Sequence, residues 1–346
     1  MARPPFPDAV DQITPDWLNR SLEGGAATGL RAVRIGQDEG FSGCRLYRLM
    51  LDGGAGPASL VVKLSPADVT DARRMAGANA REVAFYAGHG QEAGLPLPFV
   101  HLARFDPATA ASLLVMQDLG GHRALPFATG LGAGDAGLAL RALAGLHARW
   151  WDGKGDAGPT LQQAYPFDTL WPAYRDHVAR TMPDIALPPA LRALGDRIAA
   201  DPDAACARLT QGGPLTRIHG DAQADNLRFA DGPGGPHALL LDWQFTGWGK
   251  GMSDVGYLLI SSLTPALRRR HEAALVGGYR ATLATRGVRG EDPGGYLRAA
   301  AGKLWITVAA TLRYDNASPA KQRWRRVDLE RLAAFCVDHA PAAAFG

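Results

Sequence analysis

Short runs rich in apolar positions make three early β-like segments, Leu30–Ile35, Cys44–Leu51 and Ser59–Leu64, separated by the turns Gly40-Phe41-Ser42-Gly43 and Asp52-Gly53-Gly54-Ala55-Gly56-Pro57. Such runs joined by glycine-containing turns predict antiparallel strands. From Val69 to Gly88 the period becomes helical, with Met75, Val83, Phe85 and Tyr86 among the apolar positions, and the strand-like runs Phe99–Phe105 and Ser112–Gln117 follow. The order βββαββ predicts a small α+β domain. Ahead of it, Thr14-Pro15-Asp16 supplies an N-cap hydroxyl, a proline suited to the first helical position and a first-turn acid, with Gly24-Gly25 beyond, which predicts a short helix serving as a surface packing element.

After the glycine-rich stretch Gly120–Gly134, helical patterns dominate: Asp135–Trp151, Asp168–Met182, Ala190–Ala200, Pro265–Arg286, Gly294–Arg313 and Ala320–Val337. Only Leu215–His219, Asn226–Phe229 and Ala238–Leu241 read as short strands there. The expected architecture is a bilobal α+β fold: an N-terminal antiparallel sheet lobe over 1–117 and a larger, mainly helical lobe over 118–346. Such an arrangement would place a cleft near Gln117–Gly121, where small-molecule sites tend to lie.

Composition narrows the function classes. The chain has 346 residues, 47% hydrophobic and 21% charged, enough for a full core. A net charge of +3 does not argue for nucleic acid or a membrane surface. Its distribution is uneven, since residues 264–346 hold 14 Lys and Arg against 7 Asp and Glu. Cys44, Cys206 and Cys336 are far apart and lack metal-ligand spacing, which disfavours a disulfide scaffold or a zinc site and fits a reducing cytoplasm. No 18-residue apolar run and no apolar leader stretch occur, so neither a membrane span nor export is expected.

The densest polar cluster is His219-Gly220-Asp221-Ala222-Gln223-Ala224-Asp225-Asn226, followed by Leu239-Leu240-Leu241-Asp242. An Asp five residues before an Asn, then a second Asp closing an apolar strand, matches a phosphoryl-transfer arrangement. Asp221 can accept a hydroxyl proton, while Asn226 and Asp242 offer oxygens to Mg²⁺, a hard cation. The plain alternative is that all three are turn residues; their ordered spacing argues against it. His219 reads as a brace for this loop. Lys63 stands out because the chain has 5 lysines against 32 arginines, and a lysine after two strand valines suggests a specific need for a compact ammonium. Glu82 taken alone reads as a surface helix charge.

This cluster is similar to that of aminoglycoside phosphotransferases, choline kinases and ecdysteroid-kinase-like phosphotransferases, relatives of the protein kinase fold. The resemblance covers most of the chain. Val61-Val62-Lys63 resembles the strand lysine that contacts ATP phosphates, and Arg81-Glu82-Val83-Ala84-Phe85-Tyr86 the helix whose Glu pairs with it. Val115-Met116-Gln117-Asp118-Leu119-Gly120 resembles the interlobe hinge, which implies that Gln117 and Leu119 adjoin the nucleotide, adenine being read there mainly by backbone groups. Leu143–Trp151 resembles the family's LAxLHAxxW helix. Gly40-Phe41-Ser42-Gly43 lies where a phosphate-covering turn would be, offering backbone N–H groups and the Ser42 hydroxyl, with Gly43 beside it. Asp254 matches the acid that opens the helix after the metal-binding Asp, where its role is structural. Two departures are Gln117, where relatives often carry Glu, and Gln223, in place of a His or Trp in the catalytic loop.

The resemblance implies an ATP- and Mg²⁺-dependent kinase acting on a small-molecule hydroxyl acceptor, with Lys63, Glu82, Ser42, Gly43, Gln117 and Leu119 on the nucleotide, Asn226 and Asp242 on the metal, and Asp221 as the catalytic residue. The basic C-terminal quarter weighs against polycationic aminoglycosides and toward a neutral or apolar alcohol or natural product. Trp243, Trp248, Tyr257, Trp305 and Tyr314 could line an apolar acceptor site. Antibiotic phosphorylation and an inactive nucleotide-binding pseudokinase are the alternatives. A protein kinase is disfavoured because only about ten residues separate Asp242 from Asp254, too few for an activation loop.

Overall fold

The computed structural model describes residues 5–23, 27–36, 43–53, 56–92, 94–155, 161–232, 234–290, 294–313 and 318–345. Two compact units result, one formed by 1–122 with 241–246 and the other by 123–240 with 247–346.

The first unit is built on strands β1 (Gly29–Ile35), β2 (Arg45–Asp52), β3 (Ser59–Leu64), β4 (Val100–Asp106) and β5 (Ala111–Gln117). They form one antiparallel sheet in the order β1-β2-β3-β5-β4. The strand period of two sorts β3 between two faces. Leu60, Val62 and Leu64 join Leu49, Leu113 and Val115 in one core cluster. Val61 and Lys63 therefore point to the other face. Helix α1 (Pro15–Ser21) starts as expected, with the Thr14 hydroxyl accepting the Trp17 N–H. It packs on the sheet from the surface: Leu18, with Ile13 just before the helix, is buried in the cluster, while the other positions of the helix are partly or fully exposed.

Helix α2 (Val69–His89) is capped by Asp68, whose side chain accepts the Asp71 N–H. Its buried stripe is Ala72, Met75, Asn79, Glu82, Val83 and Tyr86, positions three, four or seven apart. Glu82 thus falls on the buried face by register. The 241–246 segment is strapped to this helix. Trp243 stacks on Phe85 with ring centroids 4.0 Å apart, Arg81 Nε donates to the Gln244 carbonyl at 3.1 Å, and Gln244 Nε2 donates to Asn79 Oδ1 at 2.8 Å.

The second unit is mainly helical: α3 (Ala133–Arg149), α4 (Leu161–Ala164), α5 (Phe167–Thr181), α6 (Pro189–Ala200), α7 (Pro202–Thr210), α8 (Gly251–Ser262), α9 (Pro265–Thr285), α10 (Gly294–Arg313) and α11 (Pro319–His339). Short strands interrupt it: β6 (Thr216–Ile218) pairs with β9 (Gly247–Gly249), and β7 (Leu227–Gly232) with β8 (Gly235–Leu240). Three helices had no counterpart in the periodicity, the single turn α4 and the two longer ones α7 and α8. Helix α7 is short, although Asp201 caps it and Pro202 opens it. Helix α8 is buried at nearly every position, so its sequence carries no polar face to mark a 3.6-residue repeat. Among the described residues no helix is long and apolar enough to cross a membrane.

Candidate active site

In the first unit, the sheet face that carries Lys63 meets the buried stripe of α2. Lys63 is 7% exposed, and its Nζ lies 2.9 Å from Glu82 Oε1, 2.8 Å from Glu82 Oε2 and 2.9 Å from Asp242 Oδ1. Burial works against the ammonium, yet Asp242 and Glu82 hold it well above the ordinary lysine range. Burial also lifts Glu82, opposed by Lys63 and assisted by the Asp242 charge, so that its carboxyl is pushed up to about 7. Asp242 adopts a left-handed backbone (φ 63°), which Asp tolerates better than most residues and which is common at functional sites. Its side chain is 35% exposed.

In the second unit, Asp221 sits in the loop between β6 and β7. Asn226 Nδ2 donates to the Asp221 carbonyl at 2.9 Å and to Asp221 Oδ2 at 3.0 Å, and Gln223 Nε2 reaches the same Oδ2 at 3.3 Å. Burial and the nearby Asp221 charge hold the Tyr257 phenol well above its ordinary range. Asp254, at the start of α8, holds the loop backbone: its Oδ2 accepts the His219 N–H at 2.6 Å and its Oδ1 accepts the Gly220 N–H at 2.9 Å. Gly220 has φ 82°, a conformation that suits glycine. His219 is fully buried, and its Nδ1 accepts the Asp221 N–H at 3.2 Å, so it braces the loop as its sequence position suggested.

Burial pushes the Asp254 carboxyl up, but the His147 contact at 3.1 Å and the loop N–H groups more than reverse this and hold it below its ordinary value. A carboxyl with a depressed folded pKa stabilises the protein above its unfolded pKa, and that stabilisation is lost as pH falls through the folded value. Asp254→Asn is therefore expected to lower the unfolding free energy at pH 7 by about 3 kcal/mol. The gap to wild type should narrow in acid, as urea titrations at pH 7 and pH 3 would reveal.

Other sequence-selected residues fare differently. Gln117 is exposed, and its Oε1 accepts the Phe99 N–H at 3.2 Å, so its side chain braces β4 against β5. Leu119 is buried; its carbonyl accepts the His122 N–H, while its own N–H has no partner among the described residues. Gly43 is exposed with φ 69°, immediately before β2, and Ser42 lies outside the described residues. Trp243 and Trp305 are core residues rather than pocket walls, being fully buried. Tyr314 lies outside the described residues. Lys250 of the glycine-rich 247–251 segment is spent on the carbonyls of Gly213 and Pro214.

Asn226 commits its NH₂ to Asp221, which leaves Oδ1 as its outward oxygen, and Lys63 engages only Oδ1 of Asp242. Among the described residues no group of three or more His, Cys, Asp or Glu could hold a metal. The Asp242 carboxylate in the first unit and the Asn226 amide oxygen in the second are each oxygen donors of the kind that a hard cation such as Mg²⁺ takes. The unpartnered Leu119 N–H is a donor suited to a base edge.

The phosphotransferase enzyme family model (APH) matches residues 42–289. No curated protein matches the sequence. A choline/ethanolamine kinase family protein from Mesorhizobium loti is similar in structure, with a TM-score of 0.51 and 19% identity over 92% of this chain and 93% of that one. Choline kinase from Cryptosporidium parvum Iowa II gives 0.51 and 9% over 90% and 93%. At these identities the likeness is one of fold.

Proposed function

This chain belongs to the phosphotransferase enzyme family, and from that premise we propose that it transfers the γ-phosphoryl group of ATP, with Mg²⁺, to a hydroxyl of a small molecule, a neutral or apolar alcohol or natural product. The observation that carries the reading is the buried Lys63 ammonium held jointly by Glu82 and Asp242. Burying the Lys63 and Glu82 charges is costly, and a fold gains little from it without a ligand to bind.

Each residue has a role in this reading. Lys63, oriented by Glu82, binds phosphate oxygens. Asp242 and the Asn226 amide oxygen are the groups that would hold Mg²⁺, which would supply positive charge against the phosphates. The Leu119 N–H reads the base. Asp221 accepts the proton of the acceptor hydroxyl as its oxygen bonds to the γ-phosphorus and the bond from that phosphorus to ADP breaks. Asn226 and Gln223 fix the Asp221 carboxylate for this step, so catalysis is positioning plus electrostatics.

A thermal-shift titration with MgATP, MgGTP and Mg²⁺ alone tests the reading. A nucleotide at about 100 times its Kd should stabilise the protein by about 2.7 kcal/mol. No shift at millimolar nucleotide would overturn the kinase reading in favour of a module that binds other partners.

A further inference from the structure

Lys303, on α10, is fully buried and takes no part in the roles assigned above. Its Nζ lies 4.6 Å from the Tyr257 ring centroid, 5.4 Å from that of Trp324 and 5.9 Å from that of Phe127. Three rings around one ammonium form an aromatic cage of the kind that binds alkylammonium ligands, and here the ligand is a side chain of the protein. Tyr257 joins the cage to the catalytic loop. Its hydroxyl accepts from Lys303 Nζ at 3.5 Å and lies in the field of the Asp221 carboxylate, which together with burial holds the phenol well above its ordinary range.

The surrounding charges are already matched. Asp328, fully buried, forms an ion pair with Lys303 through Oδ1 at 2.7 Å and accepts the Thr307 hydroxyl on Oδ2 at 2.7 Å. Buried Arg325 and Arg331 also lie within its field. Arg331 covers the Phe127 ring at 5.0 Å while donating to the Phe127, Ala128 and Ser261 carbonyls, and it faces Asp225 and the exposed Glu330 as well. Asp225 in turn accepts the Phe127 N–H at 2.8 Å. A cationic group approaching Asp221 from this side would find rings already serving resident cations and no buried carboxylate left uncompensated.

Resting on the kinase reading above, we propose that Lys303 is a specificity-determining residue of the acceptor site: its ammonium fills the cation position beside Asp221 and so selects a hydroxyl acceptor that carries no ammonium group of its own. The selection is by exclusion. A cation brought next to the resident one pays like-charge repulsion in a site of low dielectric, whereas a neutral acceptor pays none.

The test compares choline with 3,3-dimethylbutan-1-ol, in which carbon replaces the choline nitrogen, each titrated calorimetrically into the full chain held with Mg²⁺ and a non-hydrolysable ATP analogue. Wild type should bind the neutral alcohol about tenfold more tightly than choline, and Lys303→Met should move that ratio about tenfold toward choline. Should Lys303→Met fail to fold because Asp328 loses its partner, Lys303→Met/Asp328→Asn removes both charges and carries the same expectation. Choline binding to wild type as tightly as the alcohol, a ratio unmoved by the substitution, or binding of neither compound to the nucleotide-loaded protein would each overturn this proposal alone. Failure of the nucleotide analogue itself to bind, seen before either alcohol is added, would overturn the kinase reading and this proposal with it.

Discussion

Asp221→Asn should lower acceptor-dependent turnover by about 10²- to 10⁴-fold, the range that a positioned general base supplies. The amide is nearly isosteric and keeps an oxygen for the Asn226 NH₂ that now lies 3.0 Å from Oδ2, so the loop should hold its shape. What it loses is the ability to take a proton. Because Asp221 is assigned no contact with nucleotide in this reading, the MgATP thermal shift should stay at the wild-type value. Measuring ADP release and the thermal shift on the same preparation separates the two effects. Turnover within threefold of wild type would remove Asp221 from the mechanism, and a lost nucleotide shift would mean that its role is in binding.

Asp242→Asn acts at the other end of the reaction. Asn also tolerates the left-handed backbone at this position, and it removes the carboxylate that faces Lys63 at 2.9 Å. The affinity for MgATP should fall by about 10- to 100-fold, corresponding to about 1.4 to 2.8 kcal/mol. Turnover at saturating nucleotide should fall as well, because the phosphates would lose their anchored counter-charge. The discriminating measurement is a Mg²⁺ titration at fixed ATP: wild type should show a saturable, Mg²⁺-dependent rise in stability, and the variant should lose most of it. If the variant binds MgATP as wild type does, Asp242 is a partner of Lys63 only, and the metal role belongs elsewhere.

Lysine usage shows how far residue counting reaches. With 5 lysines against 32 arginines, each remaining lysine is a candidate for a position that arginine cannot fill. That argument singled out Lys63, which is buried in an ion pair, but it applies equally to Lys250 and Lys303, also buried. Lys303 interrupts the apolar run Ala299-Ala300-Ala301-Gly302-Lys303-Leu304-Trp305, and this was the available signal for a buried ammonium. The basic C-terminal quarter misleads in the same way. Arg325 and Arg331 are interior residues and Arg326 pairs with Asp184 at 2.6 Å, so a charge sum over a segment does not describe a surface.

Glu82 shows the complementary failure. By composition it is an ordinary helix charge, yet it falls three residues after Asn79 and seven after Met75, on the stripe that α2 buries. A charged residue in register with an apolar stripe is legible as an anomaly, but its partner is not, since Lys63 is 19 residues away and Asp242 lies 179 from Lys63. The resemblance to kinases implied the first pairing. The second came only with the strapping of 241–246 onto α2.

The sequence alone determined the strands, most helices and the order of the chemistry-bearing residues, because periodicity, caps and turn glycines act over a few neighbouring positions. The spacing from Asp221 to Asn226 belongs to this class, since one short loop fixes both. The tertiary structure decided which charges meet and which are buried: that Asp242 bonds Lys63, that Asp254 grips the loop backbone, that Trp243 and Trp305 are core, and that Lys303 lies in an aromatic cage. The reason is that a charge or a ring takes its meaning from what removes water around it, and those neighbours come from distant parts of the chain.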